Sequence, residues 1–310
     1  MAQVSMNLTN IAETPLHAAF DACCEAAAKR GLRVTGSEVV GMLPKQCLVE
    51  AGKYFLRKQK WSQGAAEEEL IDLAARSMGL GELRPFDPKE KVIEFKIEAA
   101  TAKSLVKMNL RQFCNETLSD SPAPGGGSVA ALMGALGASL GGMVANLSAS
   151  KRGWDDRLDY FSEWAVKGQQ LKDELLFLVD EDTVAFNKVM AAFGLPKESA
   201  EERAVRSKAI QSGNTYAAEI PLRVMETASR VYDLLAMMAE KGNPASISDV
   251  GVGLLATRAC IDGAAMNVRI NLSGLKDEKL KATLQEKMER LVAESDARYQ
   301  DVRNMVESKL

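Results

Sequence analysis

The pattern of apolar and polar residues changes about a third of the way along this chain of 310 residues. After residue 102 the apolar positions recur every three or four residues, which is the period of an amphipathic α-helix. No convincing strand pattern returns after that point. Four long segments carry the helical period, at residues 157–193, 200–241, 249–272 and 277–310. Residues 102–310 are therefore predicted to form a mainly α, up-and-down helical bundle.

Residues 1–98 mix two periods. The stretches QVSMNL, RVTGSEVV and KVIEFKI alternate between apolar and polar residues like β-strands. Residues 15–29, 44–58 and 65–78 have the helical period instead. We predict a small α/β segment here, joined to the bundle by a linker around residues 98–104.

Several helix ends in the bundle can be predicted from capping residues. Ser199 followed by Glu202 is a capping box, and Gly242 before an Asn-Pro pair should end the helix that precedes it. Ser248 is expected to cap the following helix. Pro221 removes an amide donor from the middle of its segment, so it should kink or split that helix.

The most unusual stretch is SDSPAPGGGSVAALMGALGASLGGMVANLSAS, residues 119–150. It is long enough for a membrane span, with 23 uncharged residues from Ser128 to Ser150, but it is poor in Leu, Ile and Phe. It matches G-x-G-x-x-A formally, but no strand precedes the glycines as a dinucleotide site requires. A buried central helix fits best, because its interior glycines imply a close approach by neighbouring helices or a ligand.

The side chains of this central helix divide by size. The large apolar ones form a single stripe, and small residues make up much of the remaining surface. At its N-terminus, the free amides of residues 125–128 offer a site for a carbonyl, carboxylate or phosphate, with a flexible lead-in as the competing interpretation. The stripe consists of Val129, Met133, Leu136, Leu140, Met143, Val144 and Leu147.

An acidic residue interrupts the apolar stripe of another helix. Asp182 lies four residues from both Leu178 and Phe186, on the apolar side of the predicted helix. Burying a carboxylate costs on the order of several kcal/mol unless it is paired or hydrogen-bonded. Two interpretations stay open: an ion pair with another helix, or a carboxylate that faces a cavity and accepts a proton or holds a cationic ligand.

A third group of polar residues follows Gly242. Ser248 and Asp249 lie near the start of a predicted helix, and Asn267 and Asn271 lie one turn apart near its end. A hydrogen bond between helices is the default explanation for such asparagines. Asp262 falls on the apolar side of the same helix, and the sequence gives no reason for it.

Composition and charge exclude several classes of function. A net charge of −3 and a pI near 5.6 give no electrostatic signature of nucleic-acid binding. Five cysteines without a CxxC pair and a single histidine, His17, assemble no zinc site, so His17 is expected to be structural. The first residues lack the pattern of a signal peptide, which predicts a cytoplasmic protein without a membrane partner.

Three motifs resemble, in order and spacing, the cyclodeaminase domain of the formiminotransferase-cyclodeaminase family: PAPGGGSVAA, LVDEDTVAF, and SISDV with NVRINL. The resemblance covers residues 102–310. Residues 1–98 resemble the C-terminal part of the family's glutamate formiminotransferase domain, which implies a ferredoxin-like α/β segment. Relative to the family, the chain starts partway through that domain. The resemblance therefore implies a truncation or an internal start, no transferase activity, and no catalytic role for His17.

The resemblance implies a folate enzyme of one-carbon metabolism. It would convert 5-formimidoyltetrahydrofolate to 5,10-methenyltetrahydrofolate and ammonia, without a metal or any cofactor beyond the tetrahydrofolate substrate. Asp182 matches the family's proposed proton acceptor. Lys151 and Arg152 are candidates for holding a polyglutamate tail, with a solvated pair as the default interpretation. The positions assigned to folate binding are Gly126, Gly127, Ser128, Asn243, Ser248, Asp249 and Asn267.

The family also implies partners and leaves two alternatives open. Its members work as homodimers or higher homo-oligomers. The same fold also serves a methenyltetrahydrofolate cyclohydrolase, in which water attacks the methenyl carbon. A non-catalytic remnant that binds folate or supports assembly is the alternative from a different class.

Overall fold

The computed structural model describes residues 2–99 and 104–310. The chain divides into two compact units, Met1–Ala102 and Lys103–Leu310. Most of the linker predicted around residues 98–104 lies outside the described residues.

The first unit is built from helices within residues 2–99. Their bounds are Leu16–Ala28 (α1), Lys45–Lys58 (α2), Glu67–Ser77 (α3), Pro88–Lys91 (α4) and Ile93–Ala99 (α5). The first three confirm the helices predicted from the sequence. Leu48 and Phe55 of α2 and Leu70 and Ile71 of α3 form the centre of a small apolar core.

The strands predicted for residues 1–98 are absent from the described residues 2–99, where a single β-bridge joins Leu43 and Val92. The prediction for KVIEFKI was wrong, because most of this stretch is helix α5. Val92 and Phe95 lie three residues apart and both contact the core, as helical spacing allows. An extended segment becomes a strand only when another segment pairs with its N–H and C=O groups, and an alternating sequence does not supply that partner.

The second unit is the predicted helical bundle. It begins with a 3₁₀ turn, Leu105–Lys107, and a short helix, Leu110–Leu118 (α6). The long helices that follow within residues 104–310 are Gly126–Ala149 (α7), Leu158–Phe193 (α8), Ala200–Lys241 (α9), Ile247–Leu272 (α10) and Glu278–Glu307 (α11). Helix α7 packs against α8, α9 and α10, and α11 packs against α9 and α10.

Close contacts fix the direction of the helices around α7. Gly127 near the start of α7 lies against Asp182 in the second half of α8, and Gly142 lies against Gly168 in its first half. Helix α8 therefore runs antiparallel to α7. Contacts at both ends of α10 show that α10 also runs antiparallel to α7. This is the up-and-down arrangement that short connections produce.

Helix α7 buries its small side chains rather than its large ones. A Cβ added at Gly134, Gly137 or Gly141 would come within 2.4–2.8 Å of a side chain of α9 or α10, which confirms the predicted close approach. Apart from the fully buried Val144, the stripe of large apolar residues lies on the more exposed side, with Leu136 52% and Leu147 43% exposed. By length and composition α7 could cross a membrane, but 61% of its most apolar window is buried, which favours the central-helix interpretation.

Helix α9 shows how the bundle accommodates a proline. The predicted capping box at its start is confirmed, since Ser199 accepts a hydrogen bond from the backbone of Glu202 and the Glu202 side chain accepts one in return. The helix continues through Pro221 without splitting. Proline leaves the carbonyl of Ala217 without its amide donor, and the side chain of Asn271 on α10 donates to that carbonyl at 2.6 Å. Asn271 therefore joins two helices.

The boundary between α9 and α10 was predicted only in part. Helix α9 ends before Gly242 as expected. The prediction that Ser248 caps α10 was wrong, because a 3₁₀ turn at Pro244–Ser246 leads directly into a helix that begins at Ile247. Ser248 therefore lies exposed within the first turn of α10.

Candidate functional site

The start of α7 and the middle of α8 meet at Asp182. The backbone of Gly127 lies so close to this carboxylate that an added Cβ would stand 2.2 Å from Oδ1, 2.6 Å from Cγ and 2.7 Å from Oδ2. Real Cβ atoms essentially never show such contacts, so a larger residue at this position would force the carboxylate or the helix to shift. The close approach of an acidic side chain therefore favours glycine at position 127.

Ser128 gives this carboxylate its hydrogen bonds. Its hydroxyl donates to Oδ2 of Asp182 at 3.0 Å, and its backbone N–H helps to lower the pKa of the carboxylate. That N–H is among the first amides of α7, which have no partner within the helix and carry the positive end of its dipole. Within residues 2–99 and 104–310, Asp182 forms no ion pair of the kind considered, and its carboxylate accepts a hydrogen bond from the hydroxyl of Ser128 at the start of α7 instead.

The pKa of Asp182 is raised above its ordinary value. Burial is the largest cause and raises the pKa, while the side-chain and backbone hydrogen bonds from Ser128 lower it and offset part of the shift. A carboxylate with a raised pKa is a stronger base than one in water and takes up a proton more readily. The arrangement therefore suits proton transfer.

Asn267 of α10 lies on the other side of the same helix start. A Cβ added at Gly126 would stand 3.6 Å from Nδ2 and 3.9 Å from Oδ1 of Asn267. The Asn267 amide donates to the backbone carbonyl of Gly263 at 2.9 Å. The structure thus brings together five of the sequence-predicted site residues: Gly126, Gly127, Ser128, Asp182 and Asn267.

The other predicted site residues lie at the opposite end of α7. The backbone N–H of Asn243 donates to Ser148 Oγ at 2.8 Å, and its side-chain oxygen accepts from Lys151 Nζ at 3.1 Å. The rise of about 1.5 Å per residue places Ser148 roughly 33 Å along the helix from Gly126. Asn243, together with Ser248 and the half-buried Asp249 nearby in the sequence, is therefore remote from Asp182 within this chain.

The two basic candidates share this remote end. Lys151 packs over the ring of Trp154 at 4.1 Å, and Arg157 lies over the same ring at 4.7 Å. Lys151 is thus held by Asn243 and Trp154 rather than solvated, and it does not reach the surroundings of Asp182. Arg152 follows Lys151 directly and is exposed.

Two residues without an assigned role have structural partners. Asp262 accepts a hydrogen bond from Arg258 at 2.7 Å, one turn away on α10, which accounts for its place on the apolar side. In the first unit the ring of His17 stacks on Tyr54 with centroids 4.3 Å apart, and burial lowers its pKa. Among residues 2–99 and 104–310, no three His, Cys, Asp or Glu side chains come together in a group that could hold a metal ion.

The interaction of Ser128 with Asp182 is the feature that sequence reasoning missed. Ser128 was assigned to folate, yet its side chain is fully buried and bonds to Asp182 instead. One signal was available: a carboxylate on an apolar stripe needs a polar partner, and Ser128 is a polar residue beside the glycines of a helix without any charge.

Comparisons with known proteins match both units of the chain. Residues 109–290 match the family model described as formiminotransferase-cyclodeaminase, and residues 1–98 match the formiminotransferase domain. A formimidoyltransferase-cyclodeaminase of Gallus gallus is 38% identical over 296 residues, 95% of this chain and 54% of that protein. The chain spans about half the length of the curated relatives of this kind that it matches.

Two relatives correspond to the second unit alone. A methenyltetrahydrofolate cyclohydrolase of Methylorubrum extorquens is 36% identical over 201 residues, 65% of this chain and 97% of that protein. The crystal structure of a formiminotetrahydrofolate cyclodeaminase from Thermotoga maritima superposes with a TM-score of 0.59 at 30% identity, covering 66% of this chain and 98% of that one.

Proposed function

Because the chain belongs to the formiminotransferase-cyclodeaminase family, we propose that it converts 5-formimidoyltetrahydrofolate to 5,10-methenyltetrahydrofolate and ammonia. Its relatives support a folate enzyme of one-carbon metabolism more broadly. The observation that carries the proposal is the carboxylate of Asp182, half-buried with a raised pKa against the glycine-rich start of α7.

In the proposed reaction the nitrogen at folate position 10 attacks the carbon of the cationic formimidoyl group. A bond forms between that nitrogen and the carbon, which becomes tetrahedral. Asp182 takes the proton from the attacking nitrogen and delivers it to the amino group. The carbon–nitrogen bond to that group then breaks, and ammonia leaves with the bonding electron pair. General acid–base catalysis of this kind contributes about 10²–10⁴-fold to the rate.

The carboxylate has a second effect in this reaction. The formimidoyl group and the methenyl product are both cations, and an ionised Asp182 at the reacting carbon favours them electrostatically. We assign the free amides of Gly126 and Gly127 at the start of α7 to a carbonyl oxygen of the substrate, and Asn267, which lies beside Gly126, to a polar group of the pterin. We leave Asn243, Ser248 and Asp249 outside this pocket because of their distance from Asp182.

The cyclohydrolase reaction is the second candidate, favoured by the Methylorubrum relative that matches nearly its whole length. Two parallel assays separate the candidates. With 5-formimidoyltetrahydrofolate, a cyclodeaminase forms methenyltetrahydrofolate and ammonia in equal amounts. With methenyltetrahydrofolate, a cyclohydrolase consumes the methenyl absorbance without releasing ammonia. Each rate is compared with the same mixture without protein, and folate binding without either reaction would identify a non-catalytic remnant.

We also propose that the chain works as a cytoplasmic homo-oligomer, with a second copy covering the outer side of α7 and α10. Leu136 and Leu147 of α7 and Met266 and Ile270 of α10 are large apolar residues that are 43–70% exposed. Exposed apolar surface of this kind, on neighbouring helices, is typical of an interface between subunits.

A further inference from the structure

We propose that Ser128 is a positioning residue, which holds the Asp182 carboxylate in its reactive orientation through its hydroxyl. This proposal rests on the proposed function of Asp182 as proton acceptor. It assigns to Ser128 a role that differs from the folate contact expected from the sequence, and it extends the chemistry of the site by one residue.

Burial excludes Ser128 from direct contact with a substrate. Its exposed fraction is 0%, and its hydroxyl is directed to Oδ2 of Asp182 at 3.0 Å. Asp182 itself is only half-buried, so its carboxylate is the part of this pair that a substrate can reach. Ser128 therefore acts on the reaction through Asp182.

Ser128 supplies the polar support of Asp182. Burial raises the pKa of Asp182, and the hydrogen bonding of Ser128 lowers it. Helix α7 contains no titratable side chain, which leaves Ser128 as the polar group that α7 directs at the carboxylate.

The acidic neighbours of Asp182 are engaged with other partners. Asp180 accepts hydrogen bonds from the hydroxyl of Ser104 and the N–H of Leu105. Glu181 accepts one from the hydroxyl of Tyr216 on α9. On α10, Asp262 is paired with Arg258.

The contacts around Asp182 also restrict the rotation of its carboxylate. The backbone of Gly127 lies against both oxygens, and the hydroxyl of the adjacent Ser128 donates to one of them. A carboxylate packed against a helix backbone and bonded by a side chain of the same helix has little freedom to turn about its Cβ–Cγ bond. Preorganisation of this kind matters because small misplacements of a catalytic group are costly in rate.

The test compares Ser128→Ala with Ser295→Ala. Ser295 is also a buried serine whose hydroxyl bonds a side chain, that of Tyr232, but it lies on α11 away from Asp182. Loss of a hydrogen bond to a charged group should lower kcat of Ser128→Ala about 10- to 100-fold with little change in KM. Because the lost bond had lowered the pKa of Asp182, the acidic limb of the pH–kcat profile should move to higher pH. Ser128→Thr, which keeps the hydroxyl, should restore the position of that limb, and Ser295→Ala should leave it unchanged.

If the acidic limb and kcat of Ser128→Ala stay at wild-type values, the positioning role is overturned and the proposed function is left intact. If the wild-type chain forms no product, the proposed function fails, and a double-mutant cycle still decides whether Ser128 holds the Asp182 carboxylate. Unfolding by urea at pH 8 is then compared for Ser128→Ala, Asp182→Asn and the double variant. Ser128→Ala should cost less stability when Asp182 is replaced; equal costs in both backgrounds would show that the two residues are not coupled.

Discussion

Replacing Gly127 by alanine tests the site with the smallest possible change. The new Cβ would stand 2.2 Å from Oδ1 of Asp182, whereas ordinary contacts begin at about 3.4 Å, so the carboxylate or the helix must move by about 1.2 Å. Such a movement breaks the 3.0 Å bond from Ser128 to Asp182. Overpacking of this kind costs about 1–3 kcal/mol, which the helical preference of alanine, about 1 kcal/mol, offsets only in part. A catalytic group displaced by about 1 Å costs roughly 10²-fold in rate.

The assay for Gly127→Ala combines the rate of methenyltetrahydrofolate formation with urea unfolding. Gly142→Ala is the matched control, because Gly142 is buried in the same helix and its added Cβ would meet the nearest atom at 3.7 Å, an ordinary contact. We expect Gly142→Ala to keep wild-type activity and stability, and Gly127→Ala to lose about 10²-fold in activity while remaining folded. Full activity in Gly127→Ala would show that Asp182 is not held against this helix as described.

Two further predictions concern charge and assembly. Asp182→Asn should be more stable than the wild type at pH 8, because the folded-state pKa of Asp182 is raised and its ionised form opposes folding above that pKa. The difference in stability should shrink as the pH falls towards the ordinary pKa of 3.8. Urea unfolding at pH 8 and pH 5 measures this difference, and its absence would contradict the burial of the charge. Light scattering of the wild type should give a mass that is a multiple of 33.5 kDa. Leu136→Lys should reduce that mass, because Leu136 is 52% exposed on the proposed interface. A monomeric wild type would exclude that interface.

Features that depend on a long stretch of sequence could be predicted, whereas features that depend on a contact with a distant part of the chain could not. Helix α9 extends over 42 residues, and its period and capping box were visible without a structure. Asp182 was conspicuous because it breaks an apolar stripe. Its bond to Ser128 joins residues 54 positions apart, and no local pattern encodes such a contact.

The buried side of α7 shows a second limit. Hydrophobicity ranks residues by apolar surface and so emphasises large side chains such as Leu136 and Leu147, which are exposed. Glycine and alanine have little surface to bury, but they let the neighbouring helices approach the backbone closely, and those helices bury their own larger side chains against it. The prediction of strands in the first unit was wrong for a related reason, because a strand depends on a pairing segment elsewhere in the chain.

The most direct test of the whole account is the simultaneous release of ammonia and formation of methenyltetrahydrofolate from 5-formimidoyltetrahydrofolate, measured for the wild type and for Asp182→Asn. The account predicts equal amounts of both products from the wild type, and loss of both in a variant that still folds and binds tetrahydrofolate. Undiminished release of ammonia by Asp182→Asn would contradict it, because another group would then have to carry the proton.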